Sequence, residues 1–181
     1  MKILKAALLL LILASIGGGL LVYSGAYDIG ADKPHTQAVY EILEILRDRS
    51  VEKHASGIQV PPLDDPKLIA EGAEHYAAMC TGCHLAPGVA DSEIRPGLYP
   101  QPPELAKQKD ENPAEQFWVI KHGIKLTAMP AWGATHDDQK IWEMVAFLQK
   151  LPTLTPQQYA QMTANAGEEH EEHEHHPPGH D

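Results

Sequence analysis

Residues 79–88 read Met-Cys-Thr-Gly-Cys-His-Leu-Ala-Pro-Gly, and Cys80 and Cys83 are the only cysteines in the 181-residue chain. Two thiols at this spacing, with the His84 imidazole directly after them, have a short list of uses. A structural zinc site takes four ligands, usually from two such pairs, and here the pair is alone. A disulfide between residues three apart closes too small a loop to stabilise much. A thioredoxin-like redox pair belongs in a βαβ context, and the chain has no strand with convincing alternation.

Cys-x-x-Cys-His is the attachment pattern of c-type haem. On that reading Cys80 and Cys83 form thioethers with the two vinyl groups, and His84 supplies the proximal nitrogen to the iron. A six-coordinate iron then needs a ligand on its other face. Five methionines are present. Met1 precedes an export segment, Met79 is too close to the attachment point, Met144 reads as helix core, and Met162 lies past the domain. Met129 remains, in Thr127-Ala128-Met129-Pro130-Ala131-Trp132-Gly133, a loop between two helices with a proline fixing the backbone beside it. His75, His122 and His136 are the alternatives, with His122 the strongest rival; His75 and His136 read better as ordinary exposed histidines.

Three helical segments must position this cluster. Asp65 and Pro66 are an N-cap and first-turn pair that opens a helix running into Cys80. A long Pro- and Gly-rich loop follows His84, too long to be idle in a compact domain, so it is expected to wrap something. Asn112, Pro113 and Glu115 mark the start of a second helix, in a capping-box pattern, and Gly123 its stop. The third runs from the acids at 137–138 to Lys150, with Pro152 as terminator. Thr155-Pro156 can open a short final helix.

The flanks say where this chemistry takes place. Lys2 and Lys5 precede an uncharged run from Ala6 to Tyr23, which is an export signal long enough to span a bilayer. Ser24-Gly25-Ala26 offers a cleavage site, but a retained anchor is the preferred reading, placing the rest on the periplasmic side of a bacterial inner membrane. The segment 35–55 reads as an amphipathic helix with Val39, Ile42, Leu43 and Leu46 on one face, set in a linker at 24–64 that would tether the domain. The domains are thus an anchor or signal peptide at 1–23, that linker, a domain at 65–152, an extension at 153–167 and a low-complexity tail at 168–181. The tail carries His170, His173, His175, His176 and His180 among carboxylates. Such tracts chelate zinc, copper or nickel, and weak divalent-metal binding is preferred over a merely solvated acidic tail. The formal net charge of −11 is concentrated in the tail and argues against a nucleic-acid partner.

Residues 65–151 resemble a class I monohaem c-type cytochrome of the kind found exported in bacterial respiratory chains. The resemblance rests on the order of a first helix, Cys-x-x-Cys-His, a loop, a middle helix, a Met-Pro loop and a last helix ending Trp-x-x-Val-Ala-Phe-Leu. It implies an all-α class I cytochrome c fold around one covalent haem c. It also implies a crossing of the terminal helices, with Gly72 and Tyr76 on one and Met144, Phe147 and Leu148 on the other. It further implies a proline carbonyl bonded to the haem histidine, from Pro87, Pro96, Pro102 or Pro103, and makes Arg95, Tyr99 and Trp132 candidate propionate partners. Histidine and methionine ligation leaves no open position on the iron, which suits one-electron transfer between redox protein partners (an oxidase, reductase or dehydrogenase) and not enzymatic turnover. The alternatives are a haem enzyme or ligand-binding protein with a displaceable Met129, and a metal-sensing module acting through the tail.

Overall fold

The structure is a computed structural model describing residues 1–109 and 111–164. It contains two compact units, Met1–Pro34 and a second from His35 onward. The first is built on α1 (Lys2–Ser24), none of whose residues is buried; it is long and apolar enough to cross a membrane, as a signal sequence also would be.

In the second unit, α2 (Gln37–Ala55), α3 (Pro66–Met79), α4 (Thr81–His84), α5 (Pro113–His122), α6 (Asp138–Lys150) and α7 (Pro156–Met162) are joined by loops and short 3-10 turns. The only pairing of strand type among the described residues is an isolated bridge, Ala86 to Val89.

The helix starts follow from side-chain oxygens that accept the unpaired N–H groups of the first turn. Asp65 accepts from Lys67, Asn112 from Ala114 and Asp137 from Lys140, with proline at the first position of α3 and α5. Glu115 does not complete a capping box. The Asn112 side-chain amide donates to its Oε1 at 3.1 Å, a bond open to an Asn cap because Asn carries its own N–H donor. The reciprocal box forms instead at α7, between Thr155 and Gln158.

The core lies where α3 crosses α6. Ala73, Tyr76, Ile141, Met144, Val145, Phe147 and Leu151 there are almost fully removed from solvent. Gly72 makes the close approach possible: a Cβ on it would fall on the Glu143 carbonyl and lie 3.0 Å from Phe147 Cβ. Tyr76 fills the space beside it, its ring 5.3 Å from that of Phe147. The helix α5 packs on α6 through a stack of Phe117 on Trp142 at 4.2 Å.

The helix α2 packs on α5, with His54 stacked on Trp118. Its inward line is not the expected one. Val39 and Leu43 are half-buried and Val51 and Ala55 buried, a row at four-residue spacing. Ile42 and Leu46 sit a step round the helix from that row and, with Ile45, are more than 60% exposed.

Candidate cofactor site

The cluster sits where α3 ends. The Cys80 N–H continues the helical ladder to the Tyr76 carbonyl at 2.9 Å, and the chain turns at once into the single turn of α4. Both thiols are free. Cys80 is packed against the core, and burial, with Cys83 beside it, pushes its thiol up to about 12, so it stands as the neutral thiol.

His84 leaves the same turn and is held from the far side of the loop. Its Nδ1 lies 2.9 Å from the Pro103 carbonyl oxygen. A carbonyl only accepts, so Nδ1 carries the proton and Nε2 of the neutral ring keeps its lone pair. Burial holds the imidazole below its usual pKa; the bond to Pro103 opposes this and the nearby Arg95 charge adds to it. Neutral imidazole is the form that ligates a metal.

The loop is closed by three further ties. Ser92 Oγ donates to the Gly82 carbonyl inside the Cys-x-x-Cys turn. The Arg95 N–H bonds back to Ser92 Oγ, and Arg95 Nη2 donates to the Pro102 carbonyl at 3.1 Å, next to the one that holds His84. Of the four prolines in question, Pro103 is therefore the one bonded to His84. Arg95 is 13% exposed, near Glu104, and its Nε is buried with no hydrogen-bond partner. Tyr99 and Trp132 have other neighbours: the Tyr99 hydroxyl accepts the His35 N–H at 3.0 Å, and the Trp132 ring lies edge-on to His136.

The Met129 loop is a second closed structure. Ile124 N–H bonds to the Met129 carbonyl at 3.2 Å. Thr127 Oγ1 donates to the Ile124 carbonyl and accepts the Met129 N–H. The loop rests on Gly123, at φ +64°, where a Cβ would be 2.7 Å from the Met129 carbonyl oxygen. Met129 itself is half-buried against the core. The rival histidines are engaged elsewhere. His122 is exposed with its ring against Trp118, and His75 lies 3.5 Å from the Glu143 carboxylate with His136 beside it.

Three contributors carried no sequence signal strong enough to single them out: Thr127, Gly123 as a platform rather than a helix stop, and Tyr159. The Tyr159 hydroxyl is 2.8 Å from Thr81 Oγ1, which in turn donates to the Tyr76 carbonyl, so α7 is fastened onto the Cys-x-x-Cys turn. Strain marks the same places. Among the described residues the two non-glycine residues at positive φ are Leu85, directly after His84, and Leu126, three before Met129.

A haem c fits this set on the evidence of the chain alone. There are two unpaired thiols, a neutral histidine fixed by its other nitrogen, and a buried guanidinium with a donor unspent. Among the described residues no three His, Cys, Asp or Glu side chains converge as a metal-ion cluster. The histidines of the tail, 170–180, lie outside the described residues.

Residues 67–148 match the family described as cytochrome c oxidase, cbb3-type, subunit III. Searches of the curated proteins and of the solved structures give no match. The matched segment runs from the first turn of α3 to near the end of α6 and so contains the whole attachment turn, both closed loops and the helix crossing. The match over these residues supports a c-type cytochrome domain, all-α and consistent with the class I kind, and such a domain implies a covalently bound c-type haem.

Proposed function

We propose that residues 65–152 form a one-electron carrier whose haem is attached through Cys80 and Cys83 and ligated by His84 and Met129, held by the N-terminal helix on the outer side of a bacterial cytoplasmic membrane. When bound, the haem supplies reversible one-electron chemistry. Everything else is the work of the chain. The Pro103 carbonyl orients the His84 ring and keeps its Nε2 unprotonated. Thr127 and Gly123 hold the Met129 backbone in a loop with little freedom to swing. Arg95, buried with an unused N–H, is placed to neutralise an acidic group of the cofactor.

The observation that carries the reading is the fixed pair of loops: His84 is locked by a bond across the domain, and Met129 is tied into its own turn. A site built to admit a substrate at the iron would need one of them loose. Redox proteins, an oxidase, reductase or dehydrogenase, are the partners this chemistry fits, and a tether at 24–64 would raise the local concentration of the carrier near them. In the tail, His170, His173, His175, His176 and His180 are proposed as a weak divalent-metal site separate from electron transfer.

The test is optical. The oxidised protein is expected to show the sulfur–iron charge-transfer band, Met129→Ala to lose it, and His122→Ala to keep it. Retention of haem after denaturation, lost in Cys80→Ala/Cys83→Ala, reports the covalent bonds. A band that survives in Met129→Ala would overturn the ligand assignment.

A further inference from the structure

The helix α2 shows two faces. One packs on α5; the other carries Ala38, Ile42, Ile45 and Leu46 over its first half and Arg49 and Lys53 over its second, all exposed. At 100° per residue these six side chains share one sector, so the apolar patch continues into a basic one. Glu41 and Glu52 border the sector, and Arg49 makes a 3.0 Å surface pair with Glu52, of the sort that exchanges freely for another anion. Three large aliphatic side chains more than 60% exposed in adjacent turns have no partner within the domain.

We propose that this face of α2 lies on an anionic lipid surface, with Ile42, Ile45 and Leu46 in the headgroup–acyl boundary and Arg49 and Lys53 on lipid phosphates. The proposal rests on the reading that the N-terminal helix stays in a bilayer. Three observations select lipid as the occupant. Apolar residues running into basic ones on one helix face is the pattern of interfacial helices. The segment 25–36 between α1 and α2 reaches at most about 40 Å when extended, so the first turns of α2 cannot leave the neighbourhood of the membrane. The patch of six side chains falls well short of the roughly 20–30 residues a side that a stable contact with a second copy takes. The consequence for function is orientation: a carrier resting on α2 presents a restricted set of its surfaces to a partner in the same membrane.

The test uses the full haem-loaded chain in vesicles of phosphatidylcholine and phosphatidylglycerol. With Cys80 and Cys83 in thioethers, an Ile45→Cys variant offers one reactive thiol, and Gln157→Cys on the exposed side of α7 serves as reference. A charged, membrane-impermeant maleimide is expected to react about tenfold more slowly at position 45 than at 157, a protection worth about 1.4 kcal/mol. Adding Arg49→Glu/Lys53→Glu should bring the two rates together. Equal rates in the unmodified background overturn the proposal. Protection that fades as protein is diluted at constant lipid shows a protein contact and also overturns it. A chain that fails to float with the vesicles refutes the anchor, and this proposal with it, whereas a floating chain with a reactive position 45 refutes this proposal alone.

Discussion

Replacing Gly72 by alanine tests whether the crossing of α3 and α6 depends on backbone contact. A Cβ at that position would coincide with the Glu143 carbonyl and press on Phe147 Cβ at 3.0 Å. The obstacle is main chain, so no rotamer change relieves it; the helices must part or shift along each other. Alanine in a helix interior is itself favoured over glycine by about 1 kcal/mol. Against that, forcing a methyl group into a packed core costs about 3 kcal/mol at the upper end of the usual range. That end applies here because Tyr76, Met144 and Phe147 on either side are almost fully buried. The net loss is about 2 kcal/mol, or about 8 °C in the unfolding midpoint for a unit of this size.

The assay is thermal and urea unfolding of the haem-loaded chain followed by far-UV circular dichroism. Gly57→Ala is the control: a Cβ there meets nothing within 4 Å. It should change stability by less than about 0.5 kcal/mol. If Gly72→Ala unfolds at the wild-type midpoint or above it, the crossing is looser than described and the argument from close approach is wrong.

Gly123→Ala should cost about 2 kcal/mol, because alanine resists a positive φ and its Cβ would meet the Met129 carbonyl, and the sulfur–iron band should vanish at lower temperature than in wild type. Tyr159→Phe removes the buried hydroxyl that joins α7 to Thr81 and should lower stability by about 1 kcal/mol in urea unfolding, with no loss of haem; an unchanged midpoint would show that α7 is not fastened there. Glu143→Gln tests a buried carboxyl: burial raises its pKa, and the neighbouring Glu71 adds to this. The folded chain therefore holds this proton more tightly than the unfolded one, so the contribution is full below the ordinary carboxylate range and is lost as pH rises through the raised value. Wild-type stability relative to Glu143→Gln should fall over that interval, and parallel pH profiles would refute the assignment.

What the sequence displays well is what is local. The caps at Asp65 and Asn112 are single side chains acting two residues away, and both were readable in the order of residues, whereas Asp137, read as a first-turn acid, is the cap of α6. The attachment pattern is local too, since Cys80, Cys83 and His84 share one helical turn. The choice of Pro103 among four prolines was not local. It depends on how the whole loop after His84 closes, through Ser92 onto Gly82 and Arg95 onto Pro102, and none of these bonds has a sequence pattern of its own. On α2, composition gave the amphipathic helix but not its inward face, because two apolar rows lie side by side and only contact with α5 decides between them.

The two leucines at positive φ carry this reasoning furthest. Leucine has no preference for that conformation, so nothing in the sequence announces Leu85 or Leu126. Each is held by bonds on both sides. The Leu85 carbonyl accepts from the Tyr76 hydroxyl at 2.7 Å and its N–H bonds to Thr81, while Leu126 is enclosed by the ring of bonds among Ile124, Thr127 and Met129. Strained backbone survives only where its surroundings over-determine it. Here it stands beside His84 on one loop and within the Met129 turn on the other. The backbone is therefore tied down beside the two residues proposed to grip the iron, which is what a carrier that must change charge with little rearrangement requires.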